Sequence, residues 1–259
     1  VLWLLQIPPI IVVPLWVAGV IALSIGGLFL FRKAVSHTRL ENNNAVSGSV
    51  FQLGGVLYAV LVGFVVVVVW EQFSEAEDAS GLEAAAVADL LRDSEALPAE
   101  SRSVIEASLV RYTRAVIDEE FPRMHRGEHV PEQSDELYDV WQTYLEVQPQ
   151  TRNEIAFFDH AIGRLNDLGA ARKMRVSSGD AHVPGELWVL LVGGGGVMMA
   201  FTFLFGTQDA LVHSLAVGLT AALLAFVLYL IFALEHPYVG ELSVDPTAYQ
   251  QVLRFWATE

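Results

Sequence analysis

Val50-Phe51-Gln52-Leu53-Gly54-Gly55-Val56-Leu57-Tyr58-Ala59-Val60-Leu61-Val62-Gly63-Phe64-Val65-Val66-Val67-Val68-Val69-Trp70 is a stretch of 21 residues without a charge, and Glu71-Gln72-Phe73-Ser74-Glu75-Ala76 follows at once. A bilayer core of ~30 Å needs ~20 apolar residues at ~1.5 Å rise. A buried strand of this length would carry a turn signal, and none interrupts the run. The stretch therefore reads as a membrane-spanning helix that continues into an acidic helix.

Three more windows have the same character: about Ile10 to Phe31, about Leu187 to Phe205, and about Leu211 to Leu234. The first is too long for a signal peptide and has no basic leader, so it reads as a span. Because the sequence opens on Val1 rather than Met, a few residues are expected to precede it. Pro8, Pro9 and Pro14 delay the start of regular helix. Trp3, Trp16, Trp70 and Trp188 lie near proposed boundaries, where an indole prefers the headgroup layer. Gly55, Ala59 and Gly63 form a stripe that lets another helix approach. Gly193-Gly194-Gly195-Gly196 weakens the third span and suggests either close packing or a flexible or pore-lining segment.

Composition agrees. The chain has 259 residues, 53% hydrophobic and only 17% charged, with mean hydropathy +0.44. Its net charge of −15 excludes a nucleic-acid partner, because a phosphate backbone is held by Lys and Arg. The absence of cysteine removes disulfides, thiolate metal sites and thiol nucleophiles.

Residues 71 to 186 are a different material, with 24 acidic residues against 11 basic ones. Four helices are expected there. One continues from Glu71 to about Leu97. The next runs from Pro98 to about Phe121, and a loop follows over 122–133. A third begins after the N-cap Ser134 and ends before Pro149. A fourth begins at Thr151-Arg152-Asn153-Glu154, a capping-box pattern, and gives way to a polar linker from Val176 to Gly185.

The reading is an all-α integral membrane protein with four transmembrane helices and a helical soluble domain inserted between the second and third. The first transmembrane helix lies in 1–31, a short basic loop in 32–49, and the second helix in 50–70. The acidic helical soluble domain spans 71–186, the third and fourth transmembrane helices 187–234, and a C-terminal tail 235–259. Arg32, Lys33 and Arg39 place the first loop in the cytoplasm and the helical domain outside. Arg172, Lys173 and Arg175, near the third span, argue the reverse, so the side of the soluble domain stays open.

His37 followed by Asn42-Asn43-Asn44, the run Tyr58 to Val67, and Trp70-Glu71-Gln72-Phe73-Ser74-Glu75-Ala76 resemble the prokaryotic bestrophin-like domain family of unassigned function, and distantly the bestrophin ion channels. Glu83-Ala84, Tyr112, Phe121-Pro122-Arg123-Met124, Gly127, Pro237-Tyr238-Val239-Gly240 and Val244-Asp245-Pro246 fit the same pattern. The asparagine cluster is displaced from His37, and Glu235-His236 stands where an aspartate is more usual. The resemblance implies a homo-oligomeric, multi-pass protein of a prokaryotic plasma (inner) membrane, with ions as partners and a pore lined by the second span. It also implies a cytosolic middle domain.

On that reading the pore-lining candidates are Gln52, Gly55, Tyr58, Val62, Val66 and Glu71. A ring of Glu71 carboxylates at a pore mouth would concentrate cations. Glu71, Glu75, Glu235, Glu241 and Asp245 are the ion-binding candidates. Oxygen ligands converging from two segments would suit Ca2+, although no cofactor is required. His37, Asn42, Asn43 and Asn44 are gate or vestibule candidates at the opposite face, and a histidine there would respond to pH.

His125-Arg126-Gly127-Glu128-His129 matches an inverted zinc-protease pattern, but Gly127 and the flanking prolines favour a loop. No metal site and no catalytic set is expected, so the chain is not read as an enzyme. The alternative to a channel is a non-conducting sensor or scaffold whose helical domain binds a partner. The spans have little polar lining beyond Gln52, Ser24, Thr202 and Thr220, which favours that alternative.

Overall fold

The computed structural model describes residues 2–35, 40 and 43–257, and among these every regular element is a helix. In chain order they are α1 (Pro9–Ala34), α2 (Asn44–Ser94), α3 (Ala99–Ala115), α4 (Phe121–His125), α5 (Asp135–Leu145), α6 (Arg152–Gly179), α7 (Gly185–Phe203), α8 (Ala210–Leu234) and α9 (Thr247–Trp256). A short 3-10 turn over Leu2–Leu4 precedes α1, and a π turn over Val116–Glu120 joins α3 to α4. Four helices, α1, α2, α7 and α8, are long and apolar enough to cross a membrane. With 19 residues, α7 spans ~28 Å and only just suffices.

The chain forms two compact units: Ile7–Glu71 with His182–Glu235, and Val1–Gln6 with Gln72–Ala181 and His236–Glu259. The first is apolar. Its α1 lies along α8, where Ile21 and Ile25 pack over Gly218, and the Trp16 indole donates to the Ala225 carbonyl (3.0 Å). Most of its apolar side chains face outward, with Ile10 83% and Leu23 78% exposed. Water would penalise such a surface heavily; lipid solvates it. Polar anchors close one end. The Asn44 amide donates to the Gly206 carbonyl and accepts from the Gly206 N–H, both at 2.8 Å. Arg32 donates to the Thr207 carbonyl (2.9 Å), and Asp209 caps α8.

The second unit is acidic at its surface and has an ordinary core. Leu90, Leu91, Ile105, Leu109, Tyr112, Tyr144, Leu165, Leu168 and Tyr249 are fully buried. Both expected caps form: Ser134 accepts from the Leu137 N–H, and Thr151 with Glu154 makes the reciprocal capping box. In the tail over 235–259, Tyr249, Val252 and Trp256 lie on one face of α9 and pack into this core. Asp245 accepts from the Thr247 N–H (2.8 Å), satisfying a first-turn donor of that helix.

Pro122 does not end the helical path as expected. It lacks an N–H, and its ring would strike a carbonyl four residues back in an ordinary helix. The chain accommodates it by widening the preceding turn, where the Phe121 N–H reaches back to the Val116 carbonyl. Helix then resumes as far as His125. Likewise α6 runs on to Gly179, through residues expected to be linker.

Candidate functional site

The densest chemistry in the chain is a set of buried charges in the acidic unit. The widened turn aims Glu120 inward, while the neighbouring Asp118 and Glu119 stay exposed. One turn of α6 carries Arg172 and Arg175 on its buried face, 1% and 0% exposed. Arg175 donates through Nε to Glu83 Oε2 (2.7 Å), and through Nη2 to Glu83 Oε1 (3.1 Å) and Glu120 Oε2 (2.6 Å). Its Nη1 lies 3.3 Å from the Met124 sulfur. Arg172 donates from Nη1 to both Glu120 oxygens at 2.8 Å, from Nε to the Glu132 carbonyl (3.0 Å) and from Nη2 to the Pro131 carbonyl (3.1 Å). The Tyr112 hydroxyl donates to Glu83 Oε1 (2.6 Å).

Two cations and two anions thus neutralise each other out of water and tie α2, α3, the π turn and α6 together. Bidentate guanidinium–carboxylate geometry makes such burial tolerable. Burial alone would lower the Arg175 guanidinium, but Glu83 and Glu120 outweigh it and hold it well above its ordinary value. Burial, with Glu83 adding to it, pushes the Tyr112 and Tyr249 phenols well above their ordinary value of 10.0; burial raises Tyr238 as well.

These phenols are neutral when protonated. Below pH ~10 the folded and unfolded chains both keep the protons. Above it the unfolded chain ionises first, so stability falls as pH climbs from the unfolded value toward the folded ones. The expected result is a lower unfolding midpoint at pH ~11 than at pH ~9, with a smaller difference in Tyr249→Phe. Circular dichroism of the detergent-solubilised protein checks it.

By sequence alone Arg172 and Arg175 read as cations flanking a span. The signal that could have found them was their register: they continue the buried series Leu165, Leu168, Ala171 of α6. A charge at a core position of an amphipathic helix implies a buried partner.

The predicted membrane residues separate into two groups. On α2, Gln52 and Glu71 are exposed, whereas Gly55, Tyr58, Val62 and Val66 are half-buried. Gly55 faces the Met198 side chain of α7, and the Tyr58 hydroxyl donates to the Leu191 carbonyl of α7 (2.8 Å). An exposed stripe, in register with Gln52 and Glu71, contains Ser49, Val56, Val60, Gly63 and Val67. Glu71 and Glu75, one turn apart on α2, are both exposed and form no ion pair among the described residues.

Glu235 is 4% exposed and accepts from the Val183 N–H (2.9 Å) and the Trp188 indole (3.0 Å), joining the end of α8 to the start of α7. Glu241 and Asp245 are exposed in the acidic unit. Among the described residues no three His, Asp or Glu side chains are grouped to hold a metal. Asn43 is exposed and Asn44 is the half-buried anchor described above; His37 and Asn42 lie outside the described residues. The His125–His129 segment crosses a turn at Gly127 (φ 73°). There Glu128 pairs with Arg126 (2.6 Å), and His129 faces Asp180.

The bestrophin-like domain profile matches residues 18–249. A crystal structure of a mutant bacterial bestrophin homologue from Klebsiella pneumoniae superimposes with TM-score 0.70 at 14% identity, covering 92% of this chain and 96% of that one. A crystal structure of a mutant described as a membrane protein matches with TM-score 0.65, also at 14% identity and with the same coverage. No curated protein matches the chain. The chain belongs to the bestrophin-like family.

Proposed function

We propose that this bestrophin-like membrane protein is the subunit of a homo-oligomeric, cation-favouring ion pore whose wall is α2. One observation carries the reading: the stripe Ser49, Gln52, Val56, Val60, Gly63, Val67 and Glu71, which the rest of the chain leaves exposed. Polar groups stand at its two ends and small apolar groups between them. That order suits a pore with hydrated mouths and a hydrophobic constriction. In a ring of copies with α2 at the axis, Glu71 carboxylates would repeat around one mouth and concentrate cations. This stripe shares Gln52 and Glu71 with the sequence-based one, and has Val56, Val60, Gly63 and Val67 in place of Gly55, Tyr58, Val62 and Val66.

The test is cation flux into liposomes containing the purified protein. Glu71→Gln is expected to lower cation uptake about tenfold at low ionic strength and to reduce the preference for cations over anions. Unchanged flux and preference would remove the carboxylate ring. Zero flux from intact wild-type oligomers would favour the scaffold reading instead, which the scarcity of polar groups along the stripe supports.

A further inference from the structure

Packing accounts for only half of the glycine run in α7. A Cβ on Gly194 would lie 2.9 Å from the Tyr58 ring, and one on Gly195 would lie 3.0 Å from the Tyr58 hydroxyl. These two positions must be small to seat Tyr58. Gly193 and Gly196 face open space, where an added Cβ would meet nothing within 4 Å. Each glycine lowers the helical equilibrium about fivefold relative to alanine. No contact within the chain requires the other two to be glycine, and their weak helix propensity favours opening of α7 there.

Loosening a helix in lipid has a cost. A carbonyl that loses its intrahelical donor finds no water. The carbonyl released when α7 opens at Gly195 is that of Leu191, four residues back, and it is the group to which Tyr58 donates at 2.8 Å. In the straight helix the Tyr58 hydroxyl is a second donor to that oxygen. In a bent helix it becomes the sole donor, so the bond stabilises the bent state more than the straight one.

We propose that α7 bends at Gly193–Gly196, and that Tyr58 of α2 is the positioning residue that keeps the Leu191 carbonyl bonded when it does. The inference goes beyond the pore reading and does not need conduction. If the pore exists, the bend lies in the helix against which its wall packs.

Hydrogen exchange of the full chain in lipid nanodiscs tests it. Tyr58→Phe keeps the ring over Gly194 and removes only the hydroxyl. Exchange over Gly193–Met199 is expected to slow about tenfold in this variant, with α1 and α8 unaffected. Gly193→Ala with Gly196→Ala is expected to slow it similarly and to make a further Tyr58→Phe change silent. A purely structural Tyr58 predicts the opposite, namely faster exchange on loss of its hydrogen bond. Faster or unchanged exchange in Tyr58→Phe overturns the proposal, as does a Tyr58→Phe effect that survives the two alanines. Because exchange is read without ion flux, a silent channel assay leaves this result standing.

Discussion

Arg175→Met is expected to destabilise the protein by about 3–5 kcal/mol, lowering the thermal midpoint of the detergent-solubilised chain by roughly 10 °C. The guanidinium is completely buried and supplies three of the hydrogen bonds that satisfy Glu83 and Glu120. Methionine fills much of its volume but leaves Glu83 with only the Tyr112 hydroxyl. A carboxylate left out of water without a cation is among the few single-site changes with so large an effect. Arg175→Lys is expected to fall between, because one ammonium cannot fork onto two carboxylates. Adding Glu83→Gln to Arg175→Met should recover a substantial part of the loss, since the second change removes the stranded charge. A loss of less than ~1 kcal/mol for Arg175→Met would show that water reaches the cluster and that its charges are not truly desolvated.

Gly240→Ala is expected to cost about 3 kcal/mol or more, for two independent reasons. Gly240 has φ 83°, a conformation that strains any residue with a Cβ. In addition, an added Cβ would collide with the backbone oxygen of Leu5. That oxygen belongs to the short N-terminal segment. There Leu5 is buried, Leu2 packs against the Gly127 turn, and Gln6 donates to the Arg126 carbonyl (3.3 Å). The two glycine turns form a clasp around this segment, so the substitution should expel it as well as lower the midpoint. Faster hydrogen exchange at residues 2–6, together with the lower midpoint, is the expected signature. Gly163→Ala is the matched control: its Cβ would meet nothing within 4 Å in mid-α6, so it should stabilise by up to ~1 kcal/mol. If the two substitutions behaved alike, the clasp would have no energetic meaning.

Several elements are legible in the residues alone. The four helices long and apolar enough to cross a membrane follow from the length of uncharged sequence, because a continuous apolar run in lipid satisfies its backbone as helix. Ser134 and Thr151 announce helix starts through local hydrogen bonds that depend only on neighbouring residues. The bestrophin-like resemblance, carried by the second span and its exit through Trp70-Glu71-Gln72, agrees with the match over residues 18–249.

What eluded the sequence has a common cause. Arg172 and Arg175 look like exposed cations until Glu83 and Glu120, 92 and 55 residues from Arg175, arrive beside them. Pro122 looks like a stop until a π turn absorbs it. The tail shows no reason to be a helix until Tyr249 has a core to enter. Tyr58 sits on a stripe whose direction no local rule sets; only α7, with its bare Gly194 and Gly195, turns that ring inward. Uncharged length and local capping are properties of contiguous chain, so the sequence by itself determined the four long apolar helices and the helix starts. Burial of a charge, passage through a proline and the facing of a side chain depend on groups far along the chain, and only the tertiary structure decided them.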